Sequence, residues 1–469
     1  ENDTVIHYRS LEAAVWAAAA HLRRRGIAPG DVVGVSLPHS ALYLVAVYAL
    51  ARIGAVQVSL PLYDPHPMRA AYAARFGVKW VVASDHAAGL PGIGTAILQA
   101  GDTRQSSIPV PADLGFAGGD HPWFIRRTSG TTNEAKGIAI THRTVLAEFE
   151  AQAACFIGPN DRYLAVVEMG MVYGLGSCER TLFGGGAIVI PPMPFRFVDF
   201  FDHVDRYGIT RLMLTPNHFD ALLPLLPKDG VRCSAINDVT AAGMMMRESL
   251  RSEIRQRFSP NLSIRYGSNE AGYLTSADAI MQQRYPETIG AAMPGVELEI
   301  VDEHDMPVSR GEPGRIRVRT PWMATGSLNL SGASDRVFRD GWAYPGDIGV
   351  LSAEGMLFLK GRADDMMNFD GVKIMPTDIE EALLQHPAVV EAAAFPASSQ
   401  RHQNIPMAAV TVRAAVTPEA LLAYCRRLLG ARAPLLISIE QTLPRNAMGK
   451  VLKRELSLRL ADKLPASMR

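Results

Sequence analysis

One stretch, residues 32–60, constrains this chain more than any other. An apolar strand pattern, an apolar helical pattern, Gly54 and a second apolar strand pattern follow one another, with Arg52 the only formal charge among them. Two strands joined through a helix pair in parallel, because parallel neighbours need a long crossover. Strands buried on both faces read as continuous apolar runs, as residues 32–37 and 55–60 do. The unit predicts helices packed on a mostly parallel sheet.

Its surroundings extend the pattern. Ser10 is expected to cap a helix reaching about residue 25, with Leu11, Val15, Ala18 and Leu22 on one face and Gly26 just past the end. A turn at residues 28–31 leads into the first strand, residues 40–53 form the crossover helix, and residues 79–83 read as the next buried strand. The rhythm resumes with a helix at 144–155 and strands at 163–167, 187–190 and 211–214. From about residue 288 short strands and turns take over, at 296–301 and 314–318, marking a β-rich subdomain that ends near residue 361. Beyond it come strand 371–374, helix 377–385, strands 388–395 and 408–412, and helix 418–429. The predicted class is α/β: a large N-terminal domain, residues 1–362, carrying the β-rich subdomain, and a small α+β C-terminal domain, residues 363–469.

At 469 residues, two or three domains are expected. Hydrophobic residues make up 48% and charged residues 20%, which suits a large buried interior. The formal net charge of +0 gives no electrostatic reason to expect a nucleic-acid or membrane-surface partner. Cys155, Cys178, Cys233 and Cys425 lie far apart without metal-ligand spacing and read as reduced core thiols. The longest apolar run, residues 41–53, is shorter than the roughly 20 residues a membrane span needs. No secretory leader pattern opens the chain, so cytoplasm is the expected compartment. The chain begins at Glu1, and a short native N-terminus is expected to have been lost or left out.

The chemistry is concentrated in Thr128-Ser129-Gly130-Thr131-Thr132-Asn133-Glu134-Ala135-Lys136-Gly137. Glycine lets backbone N–H groups approach an anion, hydroxyls donate to phosphate oxygens, and Lys136 adds a point charge. The order is not that of a Walker loop, since the lysine precedes the second glycine. The same composition also describes a solvated surface loop. Four further segments follow: Tyr266-Gly267-Ser268-Asn269-Glu270, then residues 342–347 ending on Pro345-Gly346-Asp347, then Gly361-Arg362-Ala363-Asp364-Asp365, and finally Pro444-Arg445-Asn446-Ala447-Met448-Gly449-Lys450.

Together the five segments resemble the adenylate-forming superfamily of acyl-CoA synthetases, nonribosomal peptide adenylation domains and luciferases, over nearly the whole chain. Asn133 and Ala135 stand where relatives carry glycine and proline, Asn269 replaces a threonine, and Ser327 replaces an aromatic residue. The resemblance implies that ATP is bound by Thr128, Ser129, Gly130, Thr131, Thr132 and Lys136, with Tyr266 and Gly267 toward the adenine and Asn269 toward a phosphate oxygen. Asp347 would hold the ribose hydroxyls, Arg362 the ribose or phosphate side, and Glu270 a Mg²⁺ ion. Lys450, on a small mobile domain, would compensate charge as a carboxylate meets the α-phosphate. Asp364 is the implied hinge, and Lys373 belongs to the face turned inward for thioester formation. His142 reads as the first turn of a helix and not as a base.

The segment Glu168–Gly174 matches a stretch lining the acyl pocket in this superfamily. Met171 stands where an ammonium-binding aspartate or a histidine occurs in relatives, and Tyr173 follows. Gly243 and Met244 belong to a second matching stretch, so methionines are expected from two sides. An apolar aryl or short- to medium-chain aliphatic acid is the expected substrate. The acceptor is CoA or the phosphopantetheine arm of an acyl carrier protein, and the sequence leaves both open. A non-catalytic nucleotide-binding regulator on the same fold is the rival reading, disfavoured by the presence of Lys450 and Glu270.

Overall fold

The computed structural model describes residues 4–103, 115, 118–128, 136–155, 158–227, 230–324, 327–328, 337–370, 372–399, 403–445 and 451–464. The described chain is built on four sheets. At the centre of the first lies strand Val32–Ser36, flanked in parallel by Val56–Ser59 and Trp80–Ala83. Gly94–Ile97 extends one side, and Pro122–Thr128, Lys136–Thr141 and Ser327–Leu328 extend the other. Helix Ala41–Ile53 makes the expected crossover and stops at Gly54, whose φ of 77° is the left-handed conformation glycine takes without strain. Gly34 in the central strand is there for space: a Cβ would lie 2.4 Å from Leu60 Cδ1.

The first helix spans Tyr8–Arg24, with His7 and not Ser10 at its N-cap. The Tyr8 hydroxyl donates to the carbonyl of Gly186 at 2.7 Å, a tertiary tie that carries the helix beyond its sequence signal. Helix His66–Arg75 and strands Gly94–Ile97, Pro122–Thr128 and Lys136–Thr141 add elements that the apolar pattern left unassigned.

The second sheet repeats the plan, in the order Ala291–Ala292, Gly272–Ala277, Leu262–Ser268, Asp238–Ala241, Arg211–Leu214, Arg162–Leu164, Ala187–Val189. Its last five strands are parallel, while Leu262–Ser268 and Gly272–Ala277 form an antiparallel hairpin. Each sheet therefore carries a hairpin one short strand in from an edge, and those hairpins carry the first two motifs.

The third sheet holds the short strands: Phe338–Arg339, Trp342–Ala343, Pro313–Arg319, Asp347–Leu351 and Leu357–Arg362, with Glu297–Val301 also paired to Pro313–Arg319. In the fourth, the long antiparallel strands Val389–Ser399 and Gln403–Val412 alternate their faces. Ala394, Ala408 and Val410 face a core with Ile379, Leu383, Leu421 and Cys425 of helices Pro376–Leu384 and Pro418–Leu429. Ala393, Phe395, Ile405 and Met407 face Leu456 and Leu460 of helix Lys453–Leu460.

The chain divides into two compact units. One comprises Glu1–Glu299, Arg317–Pro345 and Gly355–Leu357, and the other Ile300–Ile316, Gly346–Glu354 and Phe358–Arg469. All four cysteines are free, three of them buried. No helix among the described residues is long and apolar enough to cross a membrane.

Candidate active site

The first motif connects two antiparallel strands. Pro122–Thr128 pairs with Lys136–Thr141, and Thr128 and Lys136 form the last pair before the connection. Ser129, Gly130, Thr131 and Thr132 lie outside the described residues, as do Asn133 and Ala135. The lysine-adjacent Gly137 is set by packing, since a Cβ there would lie 2.6 Å from the ring of Phe76. His142 opens helix His142–Ala151 and stacks on Trp123 with ring centroids 5.1 Å apart. Burial pushes its imidazole down to about 4, so it is neutral at physiological pH.

The second motif is the turn of the opposing hairpin. A register shift between Tyr266 and Gly267 bends strand Leu262–Ser268 just before the turn. Tyr266, Asn269 and Glu270 are half-buried and Gly267 is exposed. The turn is bound at successive positions. Arg126 Nη1 donates to the Asn269 carbonyl at 3.3 Å, and Asn269 Nδ2 donates to the Arg127 carbonyl at 3.1 Å. Ala324 N donates to the Glu270 carbonyl at 2.9 Å, and Trp322 Nε1 to the Ala271 carbonyl at 2.9 Å. The Asn269 side chain, expected to reach a phosphate oxygen, is thus turned toward the backbone of the first hairpin.

Beneath the turn lies a cluster of charges that sequence reasoning missed. Arg126, Glu148, Glu179 and Arg180 are all buried. Glu148 Oε1 accepts from Arg180 Nη2 and, at 3.2 Å, from Tyr273 N. Gly272, with φ 68°, packs so closely on this carboxylate that a Cβ would lie 2.5 Å from Glu148 Cδ. The Arg180 guanidinium lies 4.5 Å from the Tyr273 ring centroid and 5.0 Å from that of Phe149. Glu179 Oε1 has no hydrogen-bond partner among the described residues. Burial pushes its carboxyl up to about 8, against the pull of Arg126 and Arg180. The signal was present in the sequence as paired arginines in an apolar strand and a Glu-Arg pair in an apolar helix.

Met171 occupies the N-cap of helix Val172–Phe183 and is half-buried. The stretch before it is pinned from two sides. Ser59 Oγ donates to the Gly170 carbonyl at 2.7 Å, and Met169 N donates to Nδ1 of the buried His39 at 3.1 Å. That donation puts the His39 proton on Nε2, which donates to the Ala165 carbonyl at 2.8 Å. Tyr173 packs with Ala242, Tyr273 and Met293, and its hydroxyl donates toward the carbonyls of Leu214 and Thr240 at 3.3 and 3.4 Å. Gly243 takes φ 89°, leaving Met244 and Met245 exposed and Met246 buried. The structure therefore brings Tyr173 up against Ala242, the neighbour of Gly243.

In the second unit, Asp347, Arg362 and Asp364 come together. Asp347 is buried and lies 3.3 Å from Arg362 Nη1, and Asp364 Oδ2 lies 3.9 Å from Arg362 Nη2. Gly346 makes room: it has φ 85°, and a Cβ would lie 2.7 Å from Arg362 Nη2. Asp364 sits in the helical turn Ala363–Asp365. Lys373 lies 3.7 Å from Glu303, both exposed. Lys450 lies outside the described residues.

No group of three or more His, Cys, Asp or Glu side chains among the described residues could hold a metal by itself. A lone carboxylate such as Glu270 suits magnesium, which keeps water and phosphate oxygens as its other ligands. The donor set fits a metal that arrives with a nucleotide.

Residues 2–328 match the family described as AMP-binding enzyme, and residues 378–450 match the AMP-binding enzyme C-terminal domain. The chain belongs to the AMP-binding enzyme family. It is 26% identical over 503 aligned positions to the long-chain-fatty-acid–CoA ligase of Escherichia coli O157:H7, covering 96% of this chain and 90% of that protein. It is 27% identical over 494 positions to 4-coumarate–CoA ligase 5 of Oryza sativa subsp. japonica, covering 98% and 90%. The fold is that of the o-succinylbenzoate CoA synthetase of Bacillus subtilis in complex with its acyl-adenylate intermediate, with a TM-score of 0.87 at 22% identity over 97% of this chain and 94% of that one. This AMP-binding enzyme is a member of the adenylate-forming superfamily, with the α/β architecture of its parallel sheets and β-rich segment.

Proposed function

We propose that this AMP-binding enzyme is an AMP-forming acid–CoA ligase for an apolar carboxylic acid, aryl or short- to medium-chain aliphatic. In the first half-reaction a carboxylate oxygen attacks the α-phosphorus of ATP, the bond to pyrophosphate breaks, and acyl-AMP forms. In the second, the thiol sulfur of CoA attacks the acyl carbon, its proton is lost, and AMP leaves with the electrons of the acyl C–O bond. The observation that carries the reading is the match to a CoA ligase along 96% of this chain and 90% of that protein, so both half-reactions have their counterpart segments.

Within that reading, Thr128, Ser129, Gly130, Thr131, Thr132 and Lys136 cradle the phosphates, while Tyr266 and Gly267 border the adenine. Asp347 accepts from the ribose hydroxyls and is held by Arg362. Glu270 is the protein ligand of Mg²⁺, which neutralises phosphate charge when bound. Lys450 bridges the approaching anions as charge develops, and Asp364 is the pivot of the small domain. Residues 1–362 and 363–469 are the two bodies that the pivot joins.

The acid is placed against Met171, Tyr173, Gly243 and Met244. The Tyr173 hydroxyl is already directed at two backbone carbonyls, so its ring and not its oxygen is offered to a ligand. A buried ammonium would find no partner at Met171, at a cost of several kcal/mol.

Pyrophosphate release over a panel of acids, followed by thioester analysis with CoA, tests the reading. Release is expected with aryl or aliphatic acids and not with the standard amino acids. A proteinogenic amino acid as best substrate would overturn the pocket assignment. Acyl transfer to a phosphopantetheinyl carrier protein but not to CoA would replace the acceptor.

A further inference from the structure

We infer that Arg126 is a positioning residue: its buried guanidinium fixes the 268–272 turn and thereby sets where the Glu270 carboxylate meets the nucleotide's metal. The inference rests on the reading of Glu270 as the metal ligand. A buried guanidinium persists only when anions and hydrogen-bond acceptors surround it. Arg126 has the Glu148 and Glu270 carboxylates within its field and the Glu179 carboxyl beside them, with the Arg180 cation as the like-charged neighbour. Its one hydrogen bond among the described residues runs to the carbonyl of Asn269, the residue before Glu270.

That contact has a reciprocal. The Asn269 amide donates to the carbonyl of Arg127, so consecutive residues of one hairpin grip both the backbone and the side chain of Asn269. Arg126 and Arg127 precede Thr128, where the strand enters the Ser/Thr/Gly segment. The two hairpins are clasped within two residues of the carboxylate on one side and of the phosphate segment on the other. Ala324 N and Trp322 Nε1 hold the next two carbonyls of the turn. Arg126 differs from these by joining the turn to the buried charge cluster. Its effect would run through Glu270, and displacement of a ligand by about 1 Å can cost on the order of a hundredfold in rate.

The test compares Arg126→Lys, Arg126→Met, Glu270→Gln and the Arg126→Lys/Glu270→Gln pair. ATP binding is measured by calorimetry across Mg²⁺ concentrations and in EDTA, alongside thermal midpoints and the KM and kcat of acid-dependent pyrophosphate exchange. In Arg126→Lys the Mg²⁺-dependent gain in ATP affinity is expected to fall about tenfold, the scale of one charge-assisted hydrogen bond. Affinity in EDTA is expected to hold, and Arg126→Met to lose more than Arg126→Lys. Adding Arg126→Lys to Glu270→Gln should change Mg²⁺-dependent binding by less than about twofold, because both act on one ligand.

A lower thermal midpoint with unchanged Mg²⁺ dependence would make Arg126 merely structural and overturn the inference. Additive effects of Arg126→Lys and Glu270→Gln would overturn the route through Glu270. If Glu270→Gln alone leaves the Mg²⁺ dependence intact, the reading of Glu270 fails first, and a persisting Arg126 effect then removes the inference with it. Should the Arg126 variants not fold, Asn269→Ala breaks the other half of the clasp without touching the buried cluster, and an unchanged Mg²⁺ dependence there would count against the clasp.

Discussion

Two arginine–carboxylate clusters occupy the two units of this enzyme, and they are built in opposite ways. In the first unit Glu148 and Arg180 are 1% and 8% exposed, and Arg180 is further enclosed by two aromatic rings. In the second, Arg362 is 38% exposed and meets Asp347 and Asp364 at 3.3 and 3.9 Å. A buried ion pair has already lost its water, so removing one partner strands the other. In the second cluster only the guanidinium side keeps much of its water, since Asp347 is itself buried. The first cluster is enclosed on both partners, and the second only on the side of Asp347.

The largest expected effect tests the buried side. Arg180→Met removes the guanidinium that donates to the buried Glu148 carboxylate and should cost about 3–5 kcal/mol in urea unfolding, with Glu148→Leu/Arg180→Met recovering much of it. A single substitution tolerated as well as the pair would erase the contrast.

Arg362→Ala should lower the urea midpoint less than Arg180→Met does, since Arg362 is the more exposed guanidinium, while acyl-AMP formation falls by about 100- to 1000-fold, the effect of losing one electrostatic stabiliser. A stability loss like that of Arg180→Met would place Arg362 in the scaffold.

Glu179 sharpens the comparison through pH. Its carboxyl rises from an ordinary 4.5 to about 8 because it is buried. The folded state therefore binds this proton more tightly than the unfolded state. Its contribution is fully present below about pH 4.5 and is lost as pH rises through about 8. Unfolding free energy should decline across that window, and Glu179→Gln should flatten the decline. An unaltered slope in the variant would mean that other groups produce it.

The smallest effect is expected at Lys373 and Glu303, 65% and 73% exposed and 3.7 Å apart. A double-mutant cycle to alanine should give a coupling of about 0.2–1 kcal/mol that vanishes in high salt. A larger, salt-resistant coupling would move this pair to the structural side.

Much of the frame was legible because it follows from local rules. The strand–helix–strand unit at residues 32–60 announced itself by continuous apolar runs and by Gly54, which appears with φ 77° as the helix stop. Strand Arg211–Leu214 and helix Pro418–Leu429 have the bounds their patterns predicted. Strand Pro122–Thr128 was hidden because Arg126 and Arg127 interrupt its apolar pattern, and these two residues gain their partners from distant segments. The helix at Tyr8–Arg24 outran its expected start because a hydroxyl contact to Gly186 lies far away in sequence.

The sequence by itself determined the class of fold, the order of the motifs and the kinds of side chain offered to a nucleotide. These depend on periodicity, on glycine's backbone freedom and on the chemistry of individual residues, which are local properties. Only the tertiary structure decided that Asn269 turns to the backbone of Arg127, that Met246 is buried while Met244 and Met245 are exposed, and that Arg126, Glu148, Glu179 and Arg180 share one interior. Those outcomes depend on which segments exclude water from one another, and a buried charge acquires its meaning from neighbours more than a hundred residues away.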